Sequence, residues 1–138
     1  MGFDLRARNR DLDRFHFIGW TWFLSQGAGL LLQRGPWTHK AGRCVWSDRM
    51  GRIVDHNDGY YVSANKARLL AEMARTLAAS WRIINQEFPD LQDRYGKPLN
   101  PNSYPQENMY NYPVRKDYLE NLDQFAEWSE KSMGFGVW

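Results

Sequence analysis

Arginine recurs at alternate positions near the start of the chain, at Arg6, Arg8 and Arg10, with Arg14 close behind. The segment Phe3-Asp4-Leu5-Arg6-Ala7-Arg8 alternates apolar and polar residues, which predicts a half-buried strand with Arg6 and Arg8 on one side of it. A guanidinium is a planar fork of donors that fits a phosphate or carboxylate, so two on one face suit an anionic ligand. Arg43, Arg49 and Arg52 add positive charge further along. The anion-binding candidates are Arg6, Arg8, Arg43 and Arg52. Trp37, Trp46, Tyr60 and Tyr61 lie between or beside these arginines and offer rings on which bases can stack. Together they describe a nucleotide or nucleic-acid binder. The opposing observation is a net charge of only +2, where a dedicated nucleic-acid domain is usually clearly basic. The charge is uneven, however. Residues 1–55 carry nine Lys or Arg against five Asp or Glu, and residues 56–138 carry nine against eleven. Such asymmetry can steer an anionic partner to the N-terminal half.

A second cluster suits a metal or a nucleophile. His39, Cys44, Asp55, His56 and Asp58 fall close together in sequence. Imidazole, thiolate and carboxylate can complete a tetrahedral zinc site, and a thiol beside an imidazole can act as a nucleophile. No pair has the spacing of a ligand motif such as Cys-x-x-Cys, and a lone thiol more often packs as a small hydrophobe. His39, Cys44, His56 and Asp58 are therefore metal candidates only, and no cofactor is expected. Motifs of nucleophile elbows, phosphate loops and dinucleotide sites are missing. The paired carboxylates Glu127 and Glu130 sit on the outer face of an amphipathic stretch and read as solvated. The chain leans away from catalysis, with a small metal- or Cys-dependent enzyme as one alternative.

A third set has the residue types of protein interfaces. Tyr95, Tyr104, Met109, Tyr110 and Tyr112, joined by Trp37, are aromatic or soft side chains in segments that read as loops, and Tyr, Trp and Met are enriched at binding hot spots. The same residues can instead fold back over the core. As a partner-binding surface they point to a protein partner.

The elements that must position these groups follow from periodicity. Ser63 can cap a helix over 64–86, where Ala67, Leu70, Ala74, Leu77, Ala78, Trp81 and Ile84 recur at threes and fours. A second helix is predicted over 115–131, with Tyr118, Leu122, Phe125 and Ser129 as its stripe, widened by Leu119 and Ala126. Gly134 stops it, and the alternating Gly134-Phe135-Gly136-Val137-Trp138 predicts a last strand that can pair with the first. In Phe15 to Gln33 the β-forming aromatics compete with a helical spacing of Ile18, Trp22, Leu30 and Leu31, and periodicity does not decide. The expectation is a buried or bent helix through about Leu32, with Gly27 and Gly29 marking a kink or a close approach of another backbone. Arg43–Trp46 and Arg52–Val54 are expected to form a hairpin, and 89–113 a long loop rich in Pro, Asn and Tyr. The fold class is α+β: a small, mostly antiparallel sheet including both termini and a middle hairpin, with two or three helices packed on one face.

At 138 residues the chain is one domain by length, residues 1–138. Seven Trp and 15% aromatic residues supply a large apolar core. One Cys permits no internal disulfide. The apolar run from Phe15 to Leu32 is too interrupted to span a membrane. No signal peptide is evident, so the expected location is cytoplasmic with no membrane partner.

Three blocks in order carry a resemblance: the opening Met1-Gly2-Phe3-Asp4-Leu5, then Asn57-Asp58-Gly59-Tyr60-Tyr61-Val62-Ser63 before an Ala-rich helix, and last Phe125-Ala126-Glu127-Trp128-Ser129-Glu130-Lys131-Ser132-Met133-Gly134-Phe135. Across about half the chain it resembles a family of small uncharacterised proteins of bacterial and phage genomes, which also has an aromatic cluster like Trp20-Trp22. Relatives carry a Cys-rich insertion before the last helix, where this chain has its Pro/Asn/Tyr segment instead. The resemblance implies a phage or mobile-element setting. The leading expectation is then a non-enzymatic protein that engages a host protein, for example as an anti-defence inhibitor. Nucleic acid remains the alternative partner, and self-association into a homo-oligomer is left open.

Overall fold

The computed structural model describes residues 3–32, 38–40, 43–45, 60–87 and 116–138. Its centre is a four-stranded antiparallel sheet in the order β2-β1-β6-β5, formed by β1 (Phe3–Ala7), β2 (Phe15–Phe17), β5 (Tyr60–Ser63) and β6 (Gly134–Val137). The first and last strands are neighbours, with Leu5 opposite Val137 and Ala7 opposite Phe135. Backbone bonds between Asp4 and Trp138 continue this ladder beyond β6. A separate two-stranded sheet joins β3 (Thr38–Lys40) to β4 (Arg43–Val45). The middle hairpin therefore stands beside the main sheet rather than in it. The described partner of β4 is β3, whereas the expected one, residues 52–54, lies outside the described residues.

The alternation of the strands sorts the main sheet into two faces. Leu5, Phe17, Tyr60, Val62, Phe135 and Val137 are buried on one, and the described helices cover that side. α3 (Ala64–Glu87) and α4 (Lys116–Lys131) pack along each other. The stripe predicted for α4 is the buried set, Tyr118, Leu119, Leu122, Phe125, Ala126 and Ser129. On α3 the buried positions are Leu70 and four alanines, Ala67, Ala71, Ala74 and Ala78. Alanine keeps helix propensity high while letting a neighbouring element approach closely. Close approach is visible where the Ser129 hydroxyl donates to the Ala67 carbonyl at 2.7 Å. Ser63 caps α3 as expected, its Oγ accepting from the Lys66 amide at 3.3 Å.

Residues 15–33 correct the sequence reading. Phe15–Phe17 is an edge strand paired with β1. The helical part begins only at α1 (Trp20–Phe23), is kinked within Leu24–Ala28, where Gln26 and Gly27 leave helical backbone angles, and ends as α2 (Gly29–Leu32). The break falls at Gly27, whose φ of 111° no residue with a Cβ adopts readily. The carbonyls at the end of α2 are satisfied from elsewhere: Leu31 accepts from Lys66 Nζ at 2.9 Å and Leu32 from the Tyr60 hydroxyl. Phe17, Trp20, Phe23, Phe125 and Phe135 then meet as one aromatic cluster, for example Phe17–Phe125 at 4.7 Å between ring centres and Phe125–Phe135 at 5.9 Å and 88°. Edge-to-face and offset pairs of this kind add to the burial of their area.

Two side chains seat the edge strand and its turn on α4. Asn121 accepts from the Ile18 amide and donates to the His16 carbonyl, both at 3.1 Å. Trp128 Nε1 donates to the Asp13 carbonyl at 2.8 Å. The turn after β1 is built on Asn9. Asn9 Oδ1 accepts from the Asp11 amide, and its Nδ2 donates to the last carbonyl of α4, Lys131, at 2.9 Å.

Candidate functional site

The face of the sheet opposite the helices carries the alternate residues: Asp4, Arg6 and Arg8 from the first strand, His16 from β2, Tyr61 from β5, and Gly134, Gly136 and Trp138 from the last. Register sets them in rows. Gly136 lies between Arg6 on one side and Tyr61 on the other. Gly134 faces Ser63, and its carbonyl accepts from the Arg8 amide at 2.8 Å.

The two glycines make the site. A Cβ at Gly136 would stand 2.8 Å from Trp138 Nε1, so the indole occupies the space that a side chain would take. A Cβ at Gly134 would stand 2.8 Å from the Tyr61 hydroxyl and 2.8 Å from the Val62 carbonyl, so the Tyr61 ring leans into that vacancy. Each ring then lies under a guanidinium. Arg6 Cζ is 5.2 Å from the centre of the Trp138 ring, and Arg8 Cζ is 5.9 Å from that of Tyr61. Both distances fall in the cation–π range, worth about 0.5–1 kcal/mol each where exposed. The sheet thus holds two similar arrangements, an arginine at cation–π distance from a ring that fills the space beside a glycine.

Neither guanidinium hydrogen-bonds or ion-pairs with a described residue. The nearest carboxylate in sequence on this face, Asp4, is engaged sideways by His16, with Nδ1 to Oδ1 at 3.1 Å. Three other exposed cations are paired, Arg75 with Glu130, Arg82 with Asp123 at 2.6 Å, and Lys131 with Glu127 at 3.1 Å, whereas Arg10, Arg14 and Lys116 are, like Arg6 and Arg8, without a carboxylate partner among the described residues. The hydrogen bond from Arg75 holds the Glu130 carboxyl below the usual carboxylate range. Arg6 and Arg8 are exposed, and Trp138, 46% exposed, is among the most accessible large apolar side chains described. Chemically the face offers two donor forks, each beside a ring and without a carboxylate partner among the described residues. They can bind oxyanions edge-on and planar π systems face-on.

Of the other expected site residues, Tyr60 is not a stacking platform. It is buried, with its hydroxyl spent on Leu32. Arg43 lies in β4, away from this sheet. His39 and Cys44 are register partners across the β3–β4 pair. Arg52, His56, Asp58, Trp37, Tyr95, Tyr104, Met109, Tyr110 and Tyr112 lie outside the described residues. Among the described residues no group of three or more His, Cys, Asp or Glu is placed to hold a metal. No described helix is long and apolar enough to cross a membrane. A groove of about 480 Å³ runs between α2 and α3, lined mainly by Leu31, Leu69, Met73 and Leu77. It contains no cation. Trp138 is the residue of the site that sequence reasoning missed. Its signal was present, since it shares parity with Gly134 and Gly136 in an alternating strand, but its place beside Arg6 depends on inter-strand register.

No family model, curated protein or solved structure matches the chain.

Proposed function

We propose that this is a binding protein whose recognition surface is the face of the sheet opposite the described helices, and that its ligand is single-stranded nucleic acid. The observation that carries the reading is the doubled stack, Arg6 on Trp138 and Arg8 on Tyr61, with both guanidiniums free of carboxylate partners among the described residues. Single-stranded binders combine cations that follow the sugar–phosphate backbone with flat groups on which bases stack. A stacked guanidinium supplies both from one side chain, and its ring reduces the freedom lost on binding. The modest net charge fits a small local site better than a broad basic surface. Capture of a host protein through Trp37, Tyr95, Tyr104, Met109, Tyr110 and Tyr112 rests on residues outside the described ones, so no described geometry supports it.

Titration of a labelled oligothymidylate by fluorescence anisotropy at several salt concentrations tests the proposal. Binding should weaken as salt rises. The slope of log K against log salt should be about −0.7 for each phosphate neutralised, hence roughly −1.4 for two arginines. Salt-independent binding, or none at low salt, would overturn it.

A further inference from the structure

We infer that the face reads its ligand in steps of one nucleotide, with Arg6, Gly136 and Trp138 as one seat and Arg8, Gly134 and Tyr61 as the next. The inference rests on the nucleic-acid reading above and adds a minimum ligand, the dinucleotide. The two seats are related by two residues along the strand. Arg6 is opposite Gly136 and Arg8 is bonded to Gly134; the space beside Gly136 is filled by Trp138 from the end of the same strand, and that beside Gly134 by Tyr61 from β5. Two residues of a strand advance roughly 6.6 Å, a step comparable with one nucleotide of an extended single strand. A guanidinium held over a ring at cation–π distance, 5.2 Å for Arg6 and 5.9 Å for Arg8, keeps its outward side accessible to a ligand. A base can lie on the outer face while the edge of the fork reaches a phosphate. Two such seats in line favour an extended, unpaired strand, because bases held in a duplex cannot reach both planes. Ser63 and Gly134 continue the row at one end, and at the other end stand Asp4 and His16. The Asp4 carboxylate disfavours a third phosphate there. The face is therefore bounded on the Asp4 side, with the two seats as its described length.

The test is an affinity series against labelled oligothymidylates of one, two, four and eight nucleotides, a duplex of eight pairs, and an oligoglutamate of similar charge. Wild-type protein should gain roughly tenfold from one nucleotide to two, the scale of one stacked base, and little per added nucleotide beyond. Arg6→Ala and Arg8→Ala should each return the dinucleotide to nearly the mononucleotide affinity, with circular dichroism confirming that each variant is folded. Equal affinity for one and for two nucleotides would overturn the two-seat inference while leaving the nucleic-acid reading intact. The duplex binding as tightly as the single strand would also overturn it. Oligoglutamate binding with no oligonucleotide binding would overturn both and identify the face as a site for acidic protein segments.

Discussion

The two faces of the central sheet use the same strands for opposite purposes. On the helix side, Leu5, Phe17, Tyr60, Val62, Phe135 and Val137 are buried and touch one aromatic core. On the other side, one residue further along each strand, Arg6, Arg8, Tyr61 and Trp138 are partly or fully accessible. Burial on the first face is driven by area removed from water and is indifferent to which ligand arrives. On the second face little area is buried, so the ordering of Arg6 and Arg8 on their rings needs another account. The difference between the faces separates what folds this chain from what it offers to a partner.

If the helix-side face carries the stability, truncating its centre should cost most. Phe125 is wholly buried and meets the rings of Phe15, Phe17, Phe23 and Phe135 in tilted and edge-to-face contacts. Phe125→Ala should cost about 3–5 kcal/mol in denaturant unfolding, with reduced amounts of folded protein. The two glycines give a sharper contrast because they sit in the same strand. Gly134 has φ of 99°, and a Cβ there meets a backbone carbonyl. Gly134→Ala should cost about 1–3 kcal/mol. At Gly136 the added methyl meets only the indole of Trp138, a side chain that can swing away. Gly136→Ala should unfold almost like wild type yet bind single strands less well, because Arg6 loses its ring. Equal destabilisation by both substitutions would erase the distinction between a glycine the fold needs and one the site needs.

The smallest expected effect lies on the outer surfaces of the helices. Arg75 donates to Glu130 across α3 and α4, both half exposed, and Glu130 is held below its ordinary carboxylate range. A carboxylate depressed in the folded state adds stability above its unfolded pKa and loses it as pH falls through the folded value. Melting temperatures of wild type and Glu130→Gln should differ slightly near neutral pH and converge in acid. In an exposed pair the difference should be small and weakened by salt.

The helices were the most legible part of the sequence, because their signal is local. The α4 stripe of Tyr118, Leu122, Phe125 and Ser129 follows from periodicity alone, and every member is buried. The pairing of the first and last strands was also readable, since alternation ran through both. Phe15–Phe17 was not, because two phenylalanines leading into Trp20 and Trp22 satisfy either period, and what decides is the ladder with β1 and the grip of Asn121. Tyr60–Ser63 was likewise read only as an approach to a helix, although it forms an edge of the sheet. As for the site, Arg6, Arg8 and Tyr61 were legible as residue types on plausible faces. Their assembly was not, since Arg6 meets Trp138 across more than 130 positions of sequence. That contact depends on a register which no local pattern encodes.

The most direct test of the central claim compares wild type with the Arg6→Ala/Arg8→Ala double variant, measuring anisotropy with a labelled eight-nucleotide single strand across a salt series. Because the arginines lie outside the core, the variant should retain its fold, with a loss of at most about 1–2 kcal/mol from two exposed cation–π contacts. Its affinity for the strand should fall at least tenfold, and its salt slope should flatten by about 1.4. A folded variant that binds the strand with wild-type affinity and wild-type salt slope would contradict the account and remove this face from consideration as the recognition surface.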